Sequence, residues 1–397
     1  MPDLVPLITT HRVLVCVGSG GVGKTTTAAA LALWGALQGR RTAVVTIDPA
    51  KRLADCLGLS TLSSQEEPLP PETFALYGLA PRGSLTALLV DQQSAWDAAV
   101  TRYAPTSEIR ERILANRFNQ GLSRTFAGSH EYMALDILAT LVQEGTYDLI
   151  VVDTPPTRQA LDFLEAPQRL QRFLDSQASK LFIRSATASG WAALSAVNRT
   201  ATFLLRKIEA ATGISALEDI AEFFTSMQRM FTDFGDRFGR VRTLLASAET
   251  AFLLVTSPEE EVLGEAEEFR LGLERLGVTL KGVVVNRMHE PWRGQLPQRQ
   301  GLAALVERVR PTLHLTTRDS TPLQWLGQNF LAYQTRARGE ERRVERFSQS
   351  FPTDVSLVCV PLLPAFPADL GGLAALHQYL CGEAQRRASR RRKRSPA

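Results

Sequence analysis

Short apolar runs rich in β-branched residues recur along the chain: VLVCV (13 to 17), TAVVTID (ending at Asp48), DLIVVD (148 to 153), AFLLVT (251 to 256), GVVVNR (282 to 287) and SLVCVP (356 to 361). Each predicts a buried strand, the kind found in sheets covered on both faces. FALYGL near Phe74 is a weaker strand candidate. After VLVCV come glycines and then the helix-like TTTAAALALWGALQGR, whose end Gly35 and Gly39 mark. TAVVTID follows, so the opening is a β-α-β unit and the sheet is expected to be parallel. The stretches 84–145 and 160–250 read as helical.

Composition widens the picture only slightly. With 397 residues, 44% hydrophobic and 22% charged, the chain can bury a large core and has a globular balance. Cys16, Cys56, Cys359 and Cys381 are far apart, with no C-x-x-C, and read as reduced and mostly buried thiols. The first residues lack a basic segment leading into an apolar one, so export is not expected. The apolar stretch 355–376 is broken by Pro361, Pro364, Pro367 and Asp369 and is not expected to span a bilayer. These features point to a cytoplasmic protein, with a peripheral membrane association left open. Arg386, Arg387, Arg390, Arg391, Arg392, Lys393 and Arg394 outweigh the formal net charge of +4, so the rest of the chain is net acidic. Such a basic run is read as a solvated end or as a weak attractor of anionic membrane or nucleic acid.

The strongest chemical motif is Gly18-Ser19-Gly20-Gly21-Val22-Gly23-Lys24-Thr25, which fits G-x-x-x-x-G-K-[ST] after a predicted strand and before a predicted helix. Its glycines let backbone N–H groups turn inward around phosphate oxygens, and the helix that starts at Lys24 adds its positive end. Lys24 would neutralise the β and γ phosphates, the Thr25 hydroxyl would take one Mg²⁺ position, and Thr26 adjoins them. Asp153 ends the apolar strand before TPPT; a carboxylate there can hold Mg²⁺ through one of the waters that the ion keeps. The fold expectation is therefore α/β: a doubly wound, mostly parallel P-loop sheet with an inserted helical subdomain. One domain is expected over 1–385, with its core at about 10–80, 146–160 and 250–385, helical insertions between, and a basic tail at 386–397.

GSGGVGKTTT, IDPAKRLAD and DTPPTRQAL, in that order, resemble the nucleotide loop and two switch segments of the arsenite-pump and tail-anchored-protein-targeting ATPases. Those families read GKGGVGKT, DPAH-x-L-x-D and DTAPTGHTLR there. The resemblance implies that Asp48 orients the attacking water, with a further water-mediated role at the metal, and that catalysis rests on Asp48 and Lys24. It also implies that Asn286 reads adenine and that Pro361 lies on the other side of the base. An amide can donate and accept at once, as the adenine edge requires. A guanine-reading N-K-x-D would need a carboxylate at 289, where this chain has His289, so ATP with Mg²⁺ is the expected pair.

The departures are as informative. The family's signature lysine, which reaches a neighbouring subunit's phosphates, is replaced by Ser19, and the switch II histidine by Gln159. Lys51, Arg52, Arg158 or a partner subunit would have to supply the missing charge; otherwise hydrolysis is slow. No C-x-x-C exists for the zinc that holds some targeting dimers, so zinc is not expected. No cysteine lies between Cys56 and Cys359, where metalloid ligands would be. A single P-loop implies a homodimer or a heterodimer with a paralogue.

Along 217–245, Leu217, Ile220, Phe223, Phe224, Met227, Met230, Phe231, Phe234, Phe238, Val241 and Leu244 fall at three- and four-residue steps. One apolar helix face results, either packed core or an adaptable surface for apolar partners. By resemblance, the expected function is an ATP-hydrolysing dimeric switch that handles apolar membrane-protein segments or a membrane partner. The alternatives are a subunit energising a membrane transporter and a hydrolysis-poor regulatory subunit; nucleic acid is the weakest of the partner readings.

If charge at position 19 limits turnover, the wild type hydrolyses ATP slowly and Ser19→Lys accelerates phosphate release, by less than the ~10³- to 10⁵-fold of an arginine finger. A fast wild type left unchanged by Ser19→Lys would contradict this.

Overall fold

Alternate residues of the central strands point to opposite sides, and both sides are apolar. The computed structural model describes residues 3–47, 52–60, 62–104, 106–115, 129–156, 239–278, 280–293 and 320–382. Among them lie β1 (Val13–Gly18), β2 (Arg41–Thr46), β3 (Glu67–Pro68), β4 (Ser84–Leu89), β5 (Leu149–Asp153), β6 (Thr250–Thr256), β7 (Leu280–Met288) and β8 (Ser356–Pro361). They form one sheet in the order β3-β4-β2-β5-β1-β6-β7-β8. Every neighbouring pair is parallel except β3 with β4. The α/β class and the mostly parallel sheet expected from the strand pattern are thus present.

One face of the sheet, carrying Leu14, Cys16, Val44, Val151 and Leu253, packs on α1 (Val5–Thr10), α2 (Lys24–Leu37) and α10 (Leu370–Leu380). The other, carrying Val15, Val45, Val152 and Leu254, packs on α5 (Gln92–Tyr103), α7 (Ser129–Glu144) and α8 (Glu260–Arg275). Burial on both faces explains why these strands read as unbroken apolar runs. The remaining helices are α3 (Arg52–Leu57), α4 (Pro71–Ala75), α6 (Ser107–Ala115) and the long α9 (Ser320–Ser348).

Helix α2 is buried nearly all round, from Ala28 to Leu33 and on to Ala36. Small side chains let it lie close to the sheet, and alanine favours the helix that they form. Gly35 is part of this fit, since a Cβ there would stand 2.8 Å from both Leu149 Cδ2 and Thr42 Oγ1. Beyond α2, the Arg40 guanidinium donates to the carbonyls of Ile8, His11 and Asp148, tying α1 and the start of β5 to the loop before β2.

Several expectations need correction. Phe74 is in α4, not in a strand; Pro71 opens that helix, and the edge strand is Glu67–Pro68 instead. The stretch read as helical from 84 begins with β4, which extends the parallel sheet beside β2. Gly35 lies within the first helix, and only Gly39, with φ +97°, follows its end. Of the 217–245 stripe, 217–238 lies outside the described residues, as does the basic tail; Val241 is buried and Leu244 partly buried against the sheet's core.

Gly35→Val is predicted to lower the unfolding free energy by about 2 to 3 kcal/mol, because overpacking outweighs any gain in helix propensity. Urea denaturation checks this, and an unchanged midpoint would contradict it.

Candidate functional site

The loop between β1 and α2 lies over the carboxyl ends of the central strands, and backbone contacts fix its path. At Gly18, φ is +151° and a Cβ would stand 2.0 Å from the Val255 carbonyl oxygen of β6, so only glycine lets the chain pass. At Gly23, φ is +101° and a Cβ would stand 2.5 Å from Asn286 Nδ2. Asn286 donates from that nitrogen to the Val22 carbonyl at 2.9 Å and accepts the Arg287 N–H at 2.9 Å. Arg287 has φ +61° and lies at an irregular step in the β7–β8 ladder.

Helix α2 begins at Lys24 without a side-chain cap. Its first N–H groups can therefore serve an anion, which the helix dipole also favours. Lys24 is buried, and its Nζ donates to the Ser19 carbonyl at 2.8 Å. Thr25 is half-buried beside it, and Thr26 is buried. Gly20 and Gly21, at the crest of the loop, are exposed. Ser19 is buried, and its hydroxyl donates to Glu265 Oε2 of α8 at 2.6 Å.

Strand β5 brings Asp153 to the same place. Asp153 is fully buried, stands opposite Cys16 on one side and Thr46 on the other, and accepts from Thr46 Oγ1 at 3.0 Å. Thr154 Oγ1 donates to the Cys16 carbonyl at 2.8 Å, and Pro156 comes near Gly20. The Cys16 thiol beneath the loop is pushed far up in pKa by burial and then by the Asp153 charge, against the opposing pull of Lys24. It is an inert wall of the site rather than a nucleophile. A hydroxyl at Thr25 and a carboxylate at Asp153 make a hard oxygen donor set, which fits Mg²⁺ with several retained waters.

Pro361 ends β8 opposite Met288, so Asn286 and Pro361 flank the ends of neighbouring strands. Pro361 borders an open cleft of about 1240 Å³ that also takes in His289 and Tyr333. Here the sequence reading missed a group: no carboxylate occupies position 289, yet the buried Glu340 of α9 stands beside it. Glu340 accepts the His289 N–H at 2.8 Å, lies 2.9 Å from His289 Nδ1 and accepts from Arg336 at 3.1 Å, so its oxygens are engaged within the protein. Glu265 was missed as well. It lies 246 residues from Ser19, and no local pattern distinguishes it from the other acidic residues of α8.

The structure thus brings Gly18 to Thr26, Asp153 and Asn286 together at the carboxyl ends of neighbouring strands, while Pro361, at the end of β8, lines the separate cleft beside His289. Asp48, Lys51, Arg158 and Gln159 lie outside the described residues, and Arg52 is an exposed residue at the start of α3.

The family model described as anion-transporting ATPase matches residues 11–293. Similar proteins include an ATPase GET3 of Malassezia globosa, 25% identical over 70% of this chain and 73% of that one. An ATPase ASNA1 homolog of Cryptosporidium parvum is 26% identical over 69% of this chain and 64% of its own. A putative arsenical pump-driving ATPase of Halobacterium salinarum is 31% identical over 44% of this chain and 26% of its own. With a family match that spans more than half its length and includes the loop, Asp153 and Asn286, the chain belongs to the anion-transporting ATPase family and is an ATPase of the P-loop class.

Proposed function

We propose that this protein is a nucleotide-driven switch that binds Mg²⁺ and ATP at the loop Gly18–Thr26, hydrolyses the terminal phosphate and uses the cycle to handle a membrane-protein client or partner. The observation that carries the reading is the loop itself, clasped between the β6 backbone and Asn286 with an uncapped helix start and a buried lysine facing into it. Its backbone N–H groups would hold the phosphate chain, and Lys24 would extend from the Ser19 carbonyl to the β and γ phosphates. Thr25 and, through water, Asp153 would hold Mg²⁺, which supplies charge neutralisation at those phosphates. Asp48 would orient the attacking water. The base would lie between Asn286 and Pro361; the second N–H of the Asn286 amide stays available to a ring nitrogen while the first holds Val22.

The wider assignment rests on the switch segments and on the part of the apolar stripe over 217–238, since Val241 and Leu244 pack in the core. Together they favour a cytoplasmic dimer, of one chain or with a paralogue, that shields apolar membrane-protein segments at or near the membrane. A second reading, a subunit that energises a membrane transporter, draws on the name of the arsenical pump-driving relative. Among the described residues no helix is long and apolar enough to cross a membrane, and in that reading a dedicated membrane partner would provide the path. The neutral Ser19 keeps a hydrolysis-poor regulatory role in view.

Calorimetry with Mg²⁺ present is predicted to give ATP at least about ten-fold tighter than GTP, the worth of ~1.4 kcal/mol of base discrimination. Equal affinities would contradict the base assignment. Lys24→Ala is predicted to abolish hydrolysis while leaving far-UV circular dichroism unchanged, and near-wild-type turnover in that variant would overturn the site.

A further inference from the structure

We propose that Glu265 is a positioning residue of the nucleotide site: its carboxylate holds the Ser19 hydroxyl and, through the Ser19 peptide, sets where the Lys24 ammonium stands. The proposal rests on the nucleotide reading above and adds a residue that the loop motif does not contain.

Three observations converge on it. The Ser19 side chain, 5% exposed, is turned inward, and its 2.6 Å contact with Glu265 is in the range of a hydroxyl bonded to an ionised carboxylate. Ser19's own carbonyl is the acceptor for Lys24 Nζ at 2.8 Å, so one residue links the carboxylate to the ammonium without the two charges touching. Finally, Glu265 belongs to the helix that follows β6, and β6 carries the Val255 carbonyl against which Gly18 is pressed. The β6–α8 unit therefore grips the loop at two successive residues: by backbone contact at Gly18 and by a side-chain bond at Ser19.

The chemistry separates two parts of this contact. As an acceptor, Glu265 keeps the loop in the form that turns its N–H groups inward, which lowers the ordering cost of binding. As a charge, it strengthens the bond it accepts from Ser19. Glutamine retains an acceptor oxygen without the charge, whereas alanine removes both. A lysine ammonium has three donors, so Lys24 can keep the Ser19 carbonyl while reaching a phosphate oxygen. Losing the Glu265 bond should therefore loosen the loop before binding and raise Kd and KM, with less effect on kcat once the nucleotide holds the loop in place.

The test uses the full chain and titrates Mg²⁺-ATP into wild type, Glu265→Ala, Glu265→Gln, Ser19→Ala and the Glu265→Ala/Ser19→Ala double variant, with KM and kcat measured for each. The expected result is that Glu265→Ala and Ser19→Ala each raise Kd about five-fold, less than for a fully buried charged hydrogen bond because Glu265 is exposed to solvent. The double variant is expected to be no weaker than either single, and Glu265→Gln to recover most of the loss. Single variants within about two-fold of wild type, additive losses in the double, or tighter binding by Glu265→Ala would each overturn the proposal. A thermal shift without a change in Kd would reduce the contact to a structural one and overturn it too. If Glu265→Ala fails to fold, Ser19→Ala carries the same prediction from the other side of the bond. A wild type that does not bind Mg²⁺-ATP at all would instead sink the nucleotide reading, which keeps the two failures distinct.

Discussion

The site depends on how closely the backbone at Gly18 passes the carbonyl of Val255. A methyl group there would overlap that oxygen, and no rotamer change could relieve the overlap, because both atoms belong to main chain. The loop can leave β1 only along this path, and the path turns its next peptides over the strand ends. Gly23 repeats the constraint at the far end, where the Asn286 amide takes the space that a side chain would need. Between the two fixed points, the peptide N–H groups can face a common centre, which is what an anion requires.

The same demand for close approach reaches into the layers below. Helix α2 must start where the loop ends and run against β2 and β5, so it is built of alanines and has a glycine where it meets Thr42 and Leu149. The parallel register then sets Asp153, Cys16 and Thr46 side by side across three strands. Cys16 shows what this does to the local electrostatics: burial first, and then the neighbouring Asp153 carboxylate, hold its thiol neutral against the opposing pull of Lys24. The charges that matter to phosphate chemistry thus stand on a floor that does not titrate near neutral pH.

How much of this could be read from the chain depends on the range of each interaction. The loop motif and the central strands were legible because a phosphate cradle needs its glycines at fixed spacing and because strands buried on both faces lose their alternation. Strand β4 was not, since SLTALL is short and its Leu and Ala suit a helix as well; only pairing with β2 makes it a strand. FALYGL carries strand-like residues, but Pro71 starts a helix there and Phe74 is buried by it. Helix α9, rich in charged residues and with a partly exposed apolar face, leaves little signal in a search for core runs. Glu265 and Glu340 could not be foreseen at all. Their partners lie 246 and 51 residues away, and only the tertiary fold brings them to the loop and to His289.

The central claim is that the loop between Gly18 and Thr26 is a phosphate cradle completed by residues from separate strands. A crystal structure with Mg²⁺ and a non-hydrolysable ATP analogue tests it most directly. The account predicts phosphate oxygens within hydrogen-bond distance of the loop N–H groups and of Lys24 Nζ, the metal beside Thr25 with Asp153 behind a water, and the base against Asn286. An analogue bound elsewhere, or a loop whose N–H groups face away from the phosphates, would contradict it.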